Sequence, residues 1–423
     1  MDLNISAAER TKFFNCSKHF WSNVPMEIYF SNEKNKLLTI RDGETTVWTS
    51  AHGSYCKFLY AYGNSKEITL LQLITLQNHS HQRLYYCKLN KVSGNSGDKV
   101  NNGDTDNGNT DKVWLEVDRD VLFEEMSVLS EGLPSNESEM ERWTAESNFH
   151  NFVPKEKPKY FAVDLDRTFL IHNSKKMIEN VKSFEHLREN NFVPFFCTGR
   201  SYQCAFDGFN EIMSQYSTYN GYPGVYNNGA MVFDSHGNII HSNTFSHEYM
   251  EKLVQYIVEN NLEEYFLFHD VDDFYCLKDP LFLTSKLFLF YEFLNPKVIS
   301  PSELVSKSIV MTYFGKYLVE FGPFVNGVDH IGKFTLYELF AEIVPPGTSK
   351  CSGVKHIMQH YNLSSKELYF VGDGENDVEI MQMLENSFAV LNAPDRVKKF
   401  AKFTLPKTHD NNAVKLLFNT IYH

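Results

Sequence analysis

The chain of 423 residues sets 40 Lys and Arg against 53 Asp and Glu, a net charge of −13 without a dense basic cluster, and this argues against a nucleic-acid partner. Its 42% hydrophobic and 15% aromatic content can build two or three cored domains, but no apolar run reaches the ~18–20 residues of a membrane span and Met1–Cys16 lacks the core of a signal peptide, so a cytoplasmic location is expected. The seven cysteines are odd in number, scattered and free of Cys-x-x-Cys spacing, which predicts reduced buried thiols and no zinc site.

In chain order, Met26–Phe30, Leu37–Arg41, Thr45–Thr49, Tyr55–Tyr62, Ile68–Leu76 and Arg83–Leu89 are short runs rich in β-branched and aromatic residues, separated by polar turns. They predict a small β-rich domain over residues 1–125. This part resembles the FAINT-type β-rich modules of apicomplexan parasites, and the resemblance implies a secreted protein instead of a cytoplasmic one. It carries no catalytic motif, which leaves targeting or a protein partner as its expected duty. Residues 93–112, rich in Asn, Gly, Asp and Ser, read as a disordered loop. Asp104-x-Asp106-x-Gly108 fails as a calcium loop, because its glycine falls one place early and no Glu stands at the twelfth position. His79-Ser80-His81 reads as a polar turn. Residues 126–154 form an acidic, proline-bounded linker with a short helix expected over 138–146.

The chemistry begins after the linker. Phe161–Val163 read as a buried strand whose carboxyl end opens into Asp164-Leu165-Asp166-Arg167-Thr168. If the chain stays extended there, Asp164 and Asp166 point to one side. A second apolar run, Phe192–Cys197, ends in Thr198-Gly199-Arg200, where a hydroxyl and exposed backbone N–H groups suit a phosphoryl oxygen. Further on, Ser349 is placed to cap a helix beginning at Lys350, putting an ammonium near a helix N-terminus where anions bind. Lastly, Leu368–Val371 lead into Gly372-Asp373-Gly374-Glu375-Asn376-Asp377, a glycine-flanked acidic loop before a helix at Val378, and oxygen ligands on such a loop suit Mg2+.

In order and residue type, these four segments resemble the four motifs of the haloacid dehalogenase-like phosphohydrolases, and most closely their Cof-type branch. The resemblance implies a doubly wound, Rossmann-like α/β core (155–228 and 342–423) with an inserted α+β cap domain (229–341). Val225–Ala230 and Glu342–Lys350 match the segments leading into and out of that cap. It further implies Asp164 as nucleophile forming an aspartyl-phosphate. Asp166 would be the general acid and base, a duty that calls for a raised pKa. Thr198, Gly199 and Lys350 would hold the phosphoryl oxygens, with Thr168, Arg200, Asn228 and Asn376 in support. Mg2+ would be bound by Asp164, the Asp166 backbone carbonyl and Asp373, with Asp377 as a further ligand or a support behind it. Two positions depart from the pattern: Arg167 and Cys351 stand where glycine is usual.

The implied activity is Mg2+-dependent hydrolysis of small phosphorylated metabolites such as sugar phosphates or nucleotide-like monophosphates. Phosphoryl transfer within a sugar is the alternative in the same class. A distal phosphate is usually held by arginine, and Ser201–Asp395 contain none, so hydrolysis is favoured, although Lys278, Lys286 and Lys316 are candidates for a second anion. A catalytically silent binding protein acting through the β-rich domain is the alternative in another class, opposed by the intact acidic and lysine positions. Within the cap, the hairpin Met231–Ile240, a helix near His247–Asn260 and strands at Tyr265–His269 and Tyr317–Phe321 are expected. Asp270, Asp272 and Asp273 read as an acidic turn rather than a metal site.

Overall fold

The computed structural model describes residues 2–422 except 7–14, 22–23, 32–35, 52, 64–66, 78–79, 91–111, 119–120, 123–124, 127–146, 155–156, 288–294, 316–321 and 335–339. The low-complexity loop, the Asp104–Gly108 fragment, His79, the helix over 138–146, Lys316 and the strand Tyr317–Phe321 therefore lie outside the described residues, as does the side chain of Lys286. The chain divides into two units, Met1–Ser135 and Asn136–His423.

The first unit is built from β1 (Asp2–Asn4), β2 (Asn15–Trp21), β3 (Val24–Phe30), β4 (Thr39–Asp42), β5 (Thr45–Thr49), β6 (Tyr55–Gly63), β7 (Ile68–Gln77), β8 (Ser80–Asn90) and β9 (Lys112–Val117). They form a three-stranded sheet, β1-β4-β5, and a six-stranded sheet, β2-β3-β6-β7-β8-β9. Ile40 and Trp48 of the small sheet and Tyr29, Leu59, Leu71 and Leu73 of the large one share one buried cluster, the arrangement of two packed sheets. The six expected strands are present. Strands β1, β2 and β9 were not anticipated; β2 and β9 each mix apolar with charged or polar residues, which mutes the strand signal.

In the second unit the strands are β10 (Tyr160–Val163), β11 (Val193–Cys197), β12 (Gly224–Tyr226), β13 (Met231–Phe233), β14 (Ile239–Ser242), β15 (Phe266–His269), β16 (Phe274–Cys276), β17 (Lys297–Val298), β18 (Met311–Phe314), β19 (Ile331–Phe334), β20 (Ala341–Val344), β21 (Leu368–Gly372), β22 (Ser387–Ala389) and β23 (Phe403–Thr404). An eight-stranded sheet runs β14-β13-β12-β11-β10-β21-β22-β23. Strand β10 lies between β11 and β21, parallel to both, which marks the switch point where open α/β sheets bind ligands. Phe161, Ala162 and Val163 are 1% exposed or less, so β10 is buried on both faces and its carboxyl end is where polar residues can first emerge.

The expected boundaries of the insertion need correcting. Hairpin β13–β14 extends the eight-stranded sheet, pairing antiparallel to β12, whereas β20 belongs to a second sheet, β17-β16-β15-β18-β20-β19. The inserted layer thus spans about Phe245 to Val344 instead of 229–341. One face of its sheet packs Phe266, Phe268, Phe314 and Ile343 against Met250, Leu253 and Ile257 of the helix His247–Glu259, which Ser246 caps through the N–H of Tyr249. By strand register, Leu267, His269, Phe274, Met311, Tyr313 and Glu342 share the opposite face. The acidic turn reads as expected: Asp270 Oδ1 accepts the N–H groups of Asp272 and Asp273. Lys278 lies on the surface beside Glu264, 3.5 Å away. Among the described residues no helix is long and apolar enough to cross a membrane.

Candidate active site

At the carboxyl ends of β10 and β21, loops bring together Asp164, Asp373, Asp377 and, from the helix Lys350–Tyr361, Lys350. All four are almost fully buried. Ser349 caps that helix by accepting the N–H of Ser352, and Ser352 Oγ accepts the N–H of Ser349 in return, so the helix start is fixed from both sides. Lys350 Nζ then lies 2.6 Å from Asp164 Oδ1 and 2.8 Å from Asp377 Oδ1. Asp377 Oδ2 accepts the backbone N–H groups of Asp373 and Gly374, so both its oxygens are occupied in holding the loop. Thr168 Oγ1 donates to Asp373 Oδ1 at 3.3 Å.

Carboxylate oxygens of Asp164, Asp373 and Asp377 lie within 4.8 Å of one another. Burial pushes Asp164 well above the usual carboxylate range; Asp377 and Asp373 add to that and Lys350 opposes it. Asp373 is pushed up to about 6, again by burial first, with the Arg167 guanidinium working against the rise. Burial disfavours the Lys350 ammonium, but Asp164 and Asp377 more than offset it and hold the lysine charged. Three carboxylates converge here on one buried ammonium, with the Arg167 guanidinium 3.6 Å from Asp373, and a hard divalent cation such as Mg2+ fits this donor set and would hold its oxygens ionised.

Asp166 departs from expectation. Asp164 and Asp166 are both extended, but Leu165 between them is helical, so the alternation of the strand ends there and the two carboxylates meet different cations; Arg167 then turns the chain back with φ 57°. Arg200 grips Asp166 in a fork, Nε to Oδ2 at 2.9 Å and Nη2 to Oδ1 at 2.6 Å, and is itself braced by the carbonyls of Cys204 and Asp207. Partial burial pushes the Asp166 carboxyl up, but the charge and hydrogen bonds of Arg200 outweigh it and hold it below the ordinary carboxylate value. The raised pKa expected from the sequence is thus not what the structure gives.

The remaining positions form a ring around this centre. Thr198 is fully buried, and its Oγ1 accepts the N–H of Arg200, leaving its own proton to donate. Asn376 Nδ2 donates to Asn228 Oδ1 at 2.8 Å, and Asn228 Nδ2 donates to Glu342 Oε2 at 2.9 Å, linking two core loops to the inserted sheet. Glu342 Oε2 and the Asn228 side chain stand over Gly199, within 3.4 Å of where a β-carbon would be, so a side chain there would crowd this link. Burial pushes Glu342 up to about 7, against the Asn228 hydrogen bond, with Asp166 adding and Lys350 and Arg200 opposing. Glu342 and Arg167 were missed as site residues. The signal for Arg167 was its place where glycine is usual; for Glu342 there was only its position in the segment leaving the insertion.

A family model described as haloacid dehalogenase-like hydrolase matches residues 161–417, well over half of the chain. The chain belongs to that family. Among its relatives, a Mycoplasma genitalium protein named as a phosphatase is 23% identical over 286 residues, covering 60% of this chain and 95% of that one. The chloroplastic endoribonuclease YBEY of Arabidopsis thaliana is 25% identical over 264 residues, 58% of this chain but 44% of that protein, so the likeness spans less than half of it. A solved HAD/COF-like hydrolase from Plasmodium vivax is 25% identical, with a TM-score of 0.53, covering 63% of this chain and 96% of that one.

Proposed function

We propose that the chain is a Mg2+-dependent phosphatase that hydrolyses small phosphate monoesters through an aspartyl-phosphate on Asp164. The observation that carries this reading is the convergence of Asp164, Asp373, Asp377 and Lys350 at the switch point of the sheet, a buried constellation with no structural need for so many like charges. The phosphatase name of the Mycoplasma relative supports the reaction class. Asp164, Asp373 and the Asp166 carbonyl would hold the cation, which when bound supplies positive charge against the equatorial phosphoryl oxygens. Asp377 fits the role of a brace, since its oxygens already accept three hydrogens.

Lys350 neutralises and orients Asp164, and with the Thr198 hydroxyl and the Gly199 backbone offers donors to the phosphoryl group. Attack by Asp164 breaks the ester bond, leaving an acyl phosphate that water then opens. Held ionised by Arg200, Asp166 suits the second half of this sequence, in which it takes a proton from that water. Protonating the leaving group first requires the Arg200 fork to loosen. The aromatic and apolar face of the inserted sheet would select the ester.

The test is hydrolysis of an aryl phosphate by the wild type, with Mg2+ or with EDTA, beside Asp164→Asn. Turnover should vanish with EDTA and fall by about a thousandfold or more in the variant. Metal-independent turnover, or an active Asp164→Asn, would remove Asp164 as the nucleophile.

A further inference from the structure

The face of the inserted sheet that lies opposite its helix meets the core through two consecutive asparagines. Asn227 and Asn228 both adopt the left-handed region, with φ 50° and 53°, and their backbone N–H groups donate to the carbonyls of Arg200 and Thr198, on either side of Gly199. From there Asn228 reaches Glu342, while Asn227 Nδ2 lies 3.5 Å from His269 Nδ1 and 3.9 Å from Met311 Sδ. His269 is 1% exposed, and burial holds its ring neutral, at about 4, against the nearby Asp270 and Asp273. An amide nitrogen only donates, so Nδ1 is the accepting atom and the ring proton lies on Nε2. That N–H is buried and has no hydrogen-bond partner among the described residues. Nε2 stands farther along the ring from its own backbone than Nδ1 does. Since Nδ1 already meets a core side chain, the open donor lies at the seam of core and inserted layer, beside the loop that carries Thr198 and Gly199.

We propose that His269 is a specificity-determining residue whose Nε2–H donates to an uncharged oxygen of the leaving group, a hydroxyl or a ring ether, an inference that rests on the phosphatase reading. A phosphoryl group on Asp164 has the buried strands β10 and β21 beneath it, so the remainder of the ester extends toward this face. Around His269 the face is apolar: the Phe274 ring lies 4.3 Å away, centroid to centroid, and Met311 pairs with it across the sheet. An ester without an acceptor is enclosed with the N–H left unpaired, whereas an oxygen at that point removes the penalty.

The experiment compares kcat/KM for glucose 6-phosphate and cyclohexylmethyl phosphate, which share a ring size and a primary ester bond but differ in the oxygens of the leaving group. The wild type should favour the oxygenated ester by about tenfold or more, because the other leaves the N–H unpaired. His269→Asn keeps an acceptor for Asn227 and loses the distal donor. It should cut the ratio about tenfold, with kcat/KM for cyclohexylmethyl phosphate held within about twofold. His269→Gln, whose amide reaches as far as Nε2, should restore most of the ratio. If His269→Asn does not fold, His269→Phe, which keeps a ring beside Phe274, takes its place with the same expectation. With an aryl phosphate turned over, a wild-type ratio near unity, an equal fall for both esters in the variant, or no fall in either overturns this inference alone. Absence of turnover of all three esters overturns the phosphatase reading and this inference with it.

Discussion

Arg167 occupies the bend of the acidic loop in the left-handed region, where a side chain costs about 1 kcal/mol that glycine avoids. Asn392 holds it there, donating from Nδ2 to the Arg167 carbonyl at 2.9 Å, and the guanidinium comes to rest 3.6 Å from Asp373 Oδ2. A fixed positive charge beside a proposed cation ligand should weaken the cation's hold. Arg167→Gly is expected to tighten Mg2+ binding by about three- to tenfold at low salt, read by titration calorimetry without any substrate. Equal or weaker affinity in the variant would show that Arg167 instead organises the site. The acids themselves predict a pH dependence. Asp373 is raised in the folded state to about 6 from an ordinary value near 4, so its neutral form is favoured by folding. The stability this contributes is complete below the unfolded value and is lost as pH rises through about 6. In EDTA, the Tm should fall between about pH 4 and pH 6.5 by a few degrees, on the order of 1–3 kcal/mol, and Asp373→Asn should flatten the fall.

Elements place these residues by close approach more than by sequence distance. Gly229, with φ 100°, ends the loop after β12, and a β-carbon on it would sit 2.0 Å from the carbonyl oxygen of Ser349, the N-cap of the lysine-bearing helix. Gly229→Ala should therefore push the start of that helix outward and carry Lys350 with it. The expected result is a loss of roughly 2–3 kcal/mol in denaturant unfolding together with a large drop in kcat; a stable, fully active variant would mean that the helix start is less constrained than the contact implies. Much of this was legible beforehand: apolar runs that end in polar loops marked β10, β11 and β21, and Ser349 announced its cap. What failed were pairings. The alternation of Met231–Ile240 marks a hairpin, but which sheet it joins depends on β12, and the pattern is silent on partners. The Arg200–Asp166 fork depends likewise on a helical residue, Leu165, set between two extended aspartates, which an apolar-to-polar pattern does not announce.

At the scale of the molecule, the Asn136–His423 unit holds every motif of the proposed reaction, and it begins earlier than the first motif. Ser147 Oγ donates to the Thr404 carbonyl, the Asn148 side chain both donates to the Lys402 carbonyl and accepts the N–H of Thr404, and Phe152 packs edge-on against Phe388 and Phe403. Residues 147–152, expected to be linker, thus clasp the β22–β23 edge of the catalytic sheet and cover what would be exposed strand. A fragment from residue 136 to the end should fold alone and hydrolyse an aryl phosphate at the rate of the whole chain, which would assign the β-rich unit to targeting or to a partner. A fragment from residue 155 loses Phe152, 8% exposed, along with those hydrogen bonds, and should be less stable by about 2–4 kcal/mol. Its thermal midpoint, set beside that of the longer fragment, separates two explanations for any lost activity. If both fragments are stable but inactive, the β-rich unit takes part in catalysis; if the shorter one alone fails, the clasp is what the catalytic sheet requires.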